Sequence, residues 1–125
     1  MAQKLNPTIK LVSSTTAGEE TSSDALAFTV TDSLTVTQPM VDIAQIGLST
    51  VKTEIVASSI SNIVYFYAKN TDTTQTIVFE NTSSNQFSDL SPGEICFFPI
   101  KGTKGLSART GAGTAVLEYG YWSKA

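Results

Sequence analysis

Residues 91–102 read "SPGEICFFPIKG". Pro92-Gly93 is the signature of a type II turn, and Pro99 cannot donate to a central ladder, so an edge strand, or one that ends there, lies between them. Alternation puts Ile95, Phe97 and Pro99 on one face of that strand and Cys96, Phe98 and Ile100 on the other. Both faces are apolar. A second layer can cover one of them; the other needs either more of the same fold or a neighbouring subunit. Burying one extra phenylalanine contributes roughly 2–3 kcal/mol, and repetition around a ring multiplies that.

The flanking sequence keeps the same period of two. "IVYFYAKNTDTTQTIVFEN" (63–81) reads as two strands joined in a hairpin, with Asn70 and Asp72 suited to Asx turns, and "NTSSN" (81–85) turns again. "GLSART" is a short strand, "GAG" a tight hairpin tip and "TAVLEYGYW" (114–122) a closing strand. Toward the start, "PTIKLVSS" alternates Ile9 and Leu11 against Lys10 and Val12. In "ALAFTVTDSLTVTQP", Leu26, Phe28, Val30, Leu34 and Val36 share one parity. Two arrangements fit that parity: a hairpin with a three-residue loop at Thr31 to Ser33, or one long strand bent at Asp32. Between 40 and 59 the parity breaks at Ala44-Gln45, as at a bulge or an irregular connection.

Composition agrees with strands. The 125 residues include 15 Ser and 18 Thr but only 15% charged residues, a balance that disfavours helix. The expected fold is all-β: an antiparallel β-sandwich, jelly-roll-like, with about 7–9 strands. Residues 1–24 are expected to form an N-terminal arm with a first short strand and a polar loop, and residues 25–125 the β-sandwich domain.

Charge and chemistry exclude several functions. A net charge of −3 and scattered cations argue against nucleic acid as a partner. The chain has no histidine, and so lacks the commonest general base and metal ligand. Cys96 allows no internal disulfide and sits in an apolar run, as a buried small hydrophobe does. No stretch has the length of a secretory leader's apolar region or of a membrane span, so the chain is expected to stay in, or assemble in, a cytosol.

Four constellations invite chemistry, each with a plainer structural reading. Lys101-Gly102-Thr103-Lys104-Gly105 resembles an anion nest, but lacks phosphate-loop spacing and reads as a hairpin loop. Glu19, Glu20 and Asp24 lack the spaced ligands of a calcium site. Glu94 and Glu118 are candidates for a glycosidase pair that strand position does not bring together. Tyr65, Tyr67, Tyr119, Tyr121 and Trp122 could stack on sugars if both tyrosine pairs faced a common side, and pack in a core or interface otherwise. No catalytic, cofactor or metal residues are expected, and no enzyme.

The segments 63–81, 87–110 and 114–122 together resemble small virion proteins of tailed bacteriophages. In those proteins a strand ending in Lys-Asn-Thr (here Tyr65 to Thr71) leads to a Leu-x-Pro-Gly-Glu turn (Leu90 to Glu94). An aromatic strand (Cys96 to Pro99) and a final Leu-Glu-Tyr-like strand (Val116 to Trp122) follow. The resemblance covers roughly residues 60–125 and rests on turns and strands, so no functional residues transfer. It implies a non-enzymatic virion structural protein, assembled in the host cytoplasm, most simply a capsid decoration (cement) protein. Its partners would be its own copies, as a trimer or higher ring, and the major capsid protein or other virion proteins. The alternative is a tail or head-fibre component binding a surface glycan or receptor. The residues expected at the interface are Ile95, Phe97, Phe98, Ile100, Tyr119, Tyr121 and Trp122, with Leu5 and Pro7 from the arm.

Overall fold

A computed structural model describes residues 3–13, 18, 26–39 and 43–124. Among these residues the fold is all-β and antiparallel, with a single 3-10 turn at Gly102–Lys104. The first four strands are β1 (Gln3–Leu5), β2 (Thr8–Val12), β3 (Ala27–Thr31) and β4 (Leu34–Pro39). Eight more follow: β5 (Ala44–Leu48), β6 (Thr53–Val56), β7 (Ile63–Asn70), β8 (Ile77–Glu80), β9 (Gln86–Leu90), β10 (Ile95–Lys101), β11 (Leu106–Thr110) and β12 (Ala115–Lys124).

The last eight strands pair as nested antiparallel couples around one hairpin. β5 pairs with β12, β6 with β11, β7 with β10 and β8 with β9. Further pairings of β12 with β7 and of β11 with β8 then roll the strands into two sheets, β5-β12-β7-β10 and β6-β11-β8-β9. This is jelly-roll order, with eight strands in the roll. The twelve strands described in all exceed the seven to nine expected of the chain.

Between the sheets lies one core. Val64, Phe66 and Ala68 of β7 meet Ile77 and Phe79 of β8 and Leu106 and Ala108 of β11, all fully buried. Phe66 packs edge-on against Phe79 at 5.7 Å and against Phe98 at 5.8 Å. Glu80, buried beside this core, pairs with Arg109 at 2.5 Å. Among the described residues no buried side-chain polar atom lacks a partner.

Three connections expected as hairpins instead cross from one sheet to the other. The turn 71–76 takes the chain from β7 to β8, which do not pair; β10 to β11 and β11 to β12 do the same. Turn chemistry marks where a strand ends, but a hairpin and a crossover use the same turn residues. The 81–85 turn is a true hairpin, with Asn81 Oδ1 accepting from the backbone N–H groups of Ser83 and Asn85.

Asn70 ties one end of the roll together. Its side chain donates to the carbonyls of Gln75 and Leu90 at 2.8 and 2.9 Å and accepts from Asp72 N–H at 3.0 Å. Its backbone N–H donates to the carbonyl of Glu94, and its carbonyl accepts from Gly93 N–H. The adjacent Thr71 donates from both its N–H and its hydroxyl to the carbonyl of Val116. Segments 63–81, 87–110 and 114–122 therefore meet at this one point of the fold.

The first four strands make a ribbon. Gln3 faces Val36, Leu5 faces Leu34, Thr8 faces Thr31 and Val12 faces Ala27, a register that never shifts. The ladder is interrupted where Asn6 and Pro7 lie opposite Ser33 and Asp32. Pro7 has no N–H to give there, and its carbonyl alone accepts, from Asp32 N–H at 3.2 Å. Of the two arrangements expected near Asp32, the structure shows the second, a strand running on through a bend. The arm's strand pairs with residues 26–36, which the sequence assigned to the sandwich. At its base the ribbon joins the larger sheet, where β4 pairs with the end of β12.

Candidate functional site

The chemistry of this surface starts with the turn at Ser91 to Glu94. Gly93 has φ 81°, and Glu94 N–H donates to the carbonyl of Ser91, as in a type II turn. The Glu94 carboxylate accepts from Ser91 N–H at 2.6 Å. The strand that leaves this turn, β10, is the edge of the larger sheet, where Pro99 is tolerated.

Alternation along β10 then divides its side chains as the sequence predicts. Cys96, Phe98 and Ile100 pack against the core between the sheets. Phe97 points outward, into a second cluster formed by buried Val36, Tyr65 and Trp122 with Leu5, Leu34 and Tyr67. Phe97 stacks on Tyr65 with ring centroids 6.5 Å apart. Ile95 remains 67% exposed at the start of the strand. Gly120 makes room for the indole of Trp122: a Cβ there would sit 3.0 Å from indole Cη2 and 3.0 Å from Cδ1 of Ile43.

The ribbon continues this apolar surface. Its register sets Ile9 beside Val30 and Leu11 beside Phe28, and Ser13 donates to the carbonyl of Leu26. Those five apolar side chains therefore share one face, while Lys10, Thr8, Thr29 and Thr31 take the other. Each of the five is 43–50% exposed. A groove of about 250 Å3 opens where the ribbon meets the sheet; Pro7, Ile9, Val30 and Leu34 line one side, and Tyr65, Phe97 and Pro99 the other. The polar side chain in its lining is Asp32, whose carboxylate accepts from Ser33 N–H at 2.7 Å.

Of the nine residues expected at an interface, the structure gathers five on this outer surface: Leu5, Pro7, Ile95, Phe97 and Trp122. Phe98, Ile100, Tyr119 and Tyr121 instead pack against the inner core, because their parity on β10 and β12 points them between the sheets. The same parity separates the tyrosines. Tyr65 and Tyr67 face outward while Tyr119 and Tyr121 face inward, so the common side expected of a sugar-stacking platform is not formed. The ribbon residues Ile9, Leu11, Leu26, Phe28 and Val30 were missing from the expected interface. Their shared parity is visible in the sequence; that no third strand among the described residues covers them is shown by the topology.

The remaining candidates are engaged structurally. The N–H groups of Gly102 and Gly105 donate to the carbonyls of Asn62 and Gly102, which removes two donors from the supposed nest. Glu118 accepts from the hydroxyl of Tyr67 at 2.8 Å, while Glu94 is held in its own turn. Burial, then the bond to Glu118, pushes the Tyr67 hydroxyl up to about 12. Burial pushes the Cys96 thiol up to about 11, which suits a packing residue and not a nucleophile. Glu19, Glu20 and Asp24 lie outside the described residues; among those described no group of three acidic or cysteine side chains could hold a metal. No described helix is long and apolar enough to cross a membrane.

The comparisons with known proteins are negative: neither a protein-family model nor a curated protein matches the chain.

Proposed function

We propose that the chain is a structural protein of a tailed-phage virion, most simply a capsid decoration protein that binds the particle through its surface and acts without catalysis. The observation that carries this is the apolar outer surface: a ribbon with five half-exposed apolar side chains, of which Ile9 and Val30 line the groove, and Ile95, 67% exposed, on the same face of β10 as Phe97. A monomer living free in water gains nothing from such a surface, whereas a subunit of an assembly buries it. The phage resemblance supports the same reading, since its turn motifs are the ones Asn70 and Thr71 join. The jelly roll supports it only as an architecture that capsid and lectin domains share.

The test is to purify tailed-phage particles from cells that make the protein and quantify the chain by mass spectrometry against the major capsid protein. Copy numbers in a fixed ratio to the capsid subunit are expected. Particles that lack the chain after density-gradient purification would refute the proposal. The glycan-binding alternative gains no geometric support, because its aromatic residues are divided between the two faces of one sheet.

A further inference from the structure

We infer that the ribbon and the groove beside it are the two halves of one contact between copies of this chain, in which the ribbon tip of one copy seats in the groove of another. This rests on reading the chain as an assembly protein, and goes further by naming the surface and its occupant.

The ribbon cannot be explained by its own chain. A two-stranded hairpin alone is marginal in water and needs an apolar face covered by a third element. Among the described residues β2 and β3 pair only with each other, and their apolar face carries Leu11, Leu26 and Phe28 beyond the groove. The segment joining them, residues 14–25, reads "STTAGEETSSDA" and offers no large apolar side chain with which to cover that face.

A second copy supplies what is missing, because one molecule carries both shapes. The ribbon is a projection with an apolar face; the groove is an apolar recess whose far wall is Tyr65, Phe97 and Pro99. A recess of about 250 Å3 is large enough for one aromatic side chain. Area agrees as well. At 43–50% exposure the five ribbon side chains leave roughly 400 Å2 of apolar surface in water, near the largest patch of an ordinary monomer. Reciprocal cover by two copies, with the polar rim that accompanies such a patch, removes on the order of 1,200 Å2, which is what a specific interface requires. One charge lies at the contact: Asp32 lines the groove with its carboxylate held by Ser33 N–H, while Lys10 lies on the far face of the ribbon. Exchange in a closed pair or ring leaves no copy's tip or groove exposed.

The experiment is sedimentation velocity on the full chain at micromolar concentration, repeated with Phe28→Asp. Phe28 is 43% exposed and lies outside the jelly roll, so the variant is expected to keep the urea-unfolding midpoint of the dilute chain, which the roll sets. The wild type is expected as a multiple of 13.3 kDa, and the variant's dissociation constant to rise about 30-fold or more, as for a buried aromatic anchor. A second measurement uses two chains, both Cys96→Ser, one with Phe28→Cys and one with Phe97→Cys. Oxidising their mixture is expected to give a disulfide-linked pair that neither chain forms alone to the same extent. A wild-type monomer, an assembly indifferent to Phe28→Asp, or no mixed disulfide overturns the inference. If virions hold the chain but Phe28→Asp changes nothing, the exchange fails and the virion reading stands. An assembly lost in Phe28→Asp, from a chain that virions lack, supports the exchange and overturns the virion reading.

Discussion

The jelly roll and the ribbon are built from the same alternation but stand in opposite relation to water. In the roll, Phe66, Phe79, Leu106 and Leu117 are fully buried, and Asn70, also fully buried, fastens the turns at one end. In the ribbon, Ile9, Leu11, Leu26, Phe28 and Val30 repeat the pattern with their apolar face about half exposed. Strand pairing alone gives a ribbon its register; stability comes from what lies on its face. The roll therefore carries its own stability, and the ribbon draws its stability from a contact outside the chain.

Substitutions should separate the two regions by what they damage. Phe66→Ala removes a ring packed against Phe79 and Phe98 and should cost about 4 kcal/mol in urea unfolding. Asn70→Ala orphans two carbonyls and one N–H, and should cost about 3 kcal/mol in the same measurement. An unchanged unfolding midpoint in that variant would show that Asn70 is not the fastener described. Arg109→Ala leaves Glu80 buried without its partner; because the arginine is 27% exposed, the expected loss is smaller, about 2 kcal/mol. In the ribbon, Leu11→Ser should change the unfolding of dilute chain by less than about 0.5 kcal/mol while weakening association seen by light scattering. A large folding loss there would erase the distinction.

A further effect is expected of pH. Cys96 and Tyr67 hold their protons more tightly in the folded chain than at the ordinary values of 9.0 and 10.0. Their contribution to stability is thus complete below pH 9.0 and is lost as pH rises through about 11 for the thiol and about 12 for the phenol. Denaturant midpoints should fall across that window, and Cys96→Ala should flatten its lower part. Alkylation of Cys96 by iodoacetamide should be slow at neutral pH and quicken toward pH 11.

How much of this was legible in the sequence follows from what alternation can and cannot say. Period two located most of the strands but not β5 and β6, where the broken parity reads as a bulge or an irregular connection, and the residues of 91–102 showed both faces of β10 to be apolar. Turn residues were read correctly at Asn70, Asp72, Asn81 and Gly93 because each acts within a few residues of itself. Pairing was not legible. Of the seven connections within the roll only the one between β8 and β9 is a hairpin, and the other six cross between sheets. Facing was legible within one strand but not between strands. The parity of Tyr119 relative to Tyr67 depends on register, which placed Tyr119 opposite Ala68 and so turned it inward. The same gap hid the ribbon: shared parity was visible, but that no third strand covers it is a fact of topology.

Pro99 also bears on how far an assembly of this chain can grow. β10 offers the open edge of the larger sheet, seven residues long with Ile95 and Phe97 along it, the kind of edge onto which identical strands add without end. The proline removes an amide from the middle of that row, and Lys101 sets a charge at its far end. Copies are thereby discouraged from zipping edge to edge into a fibre and left to meet through their faces, where the number that fit is finite.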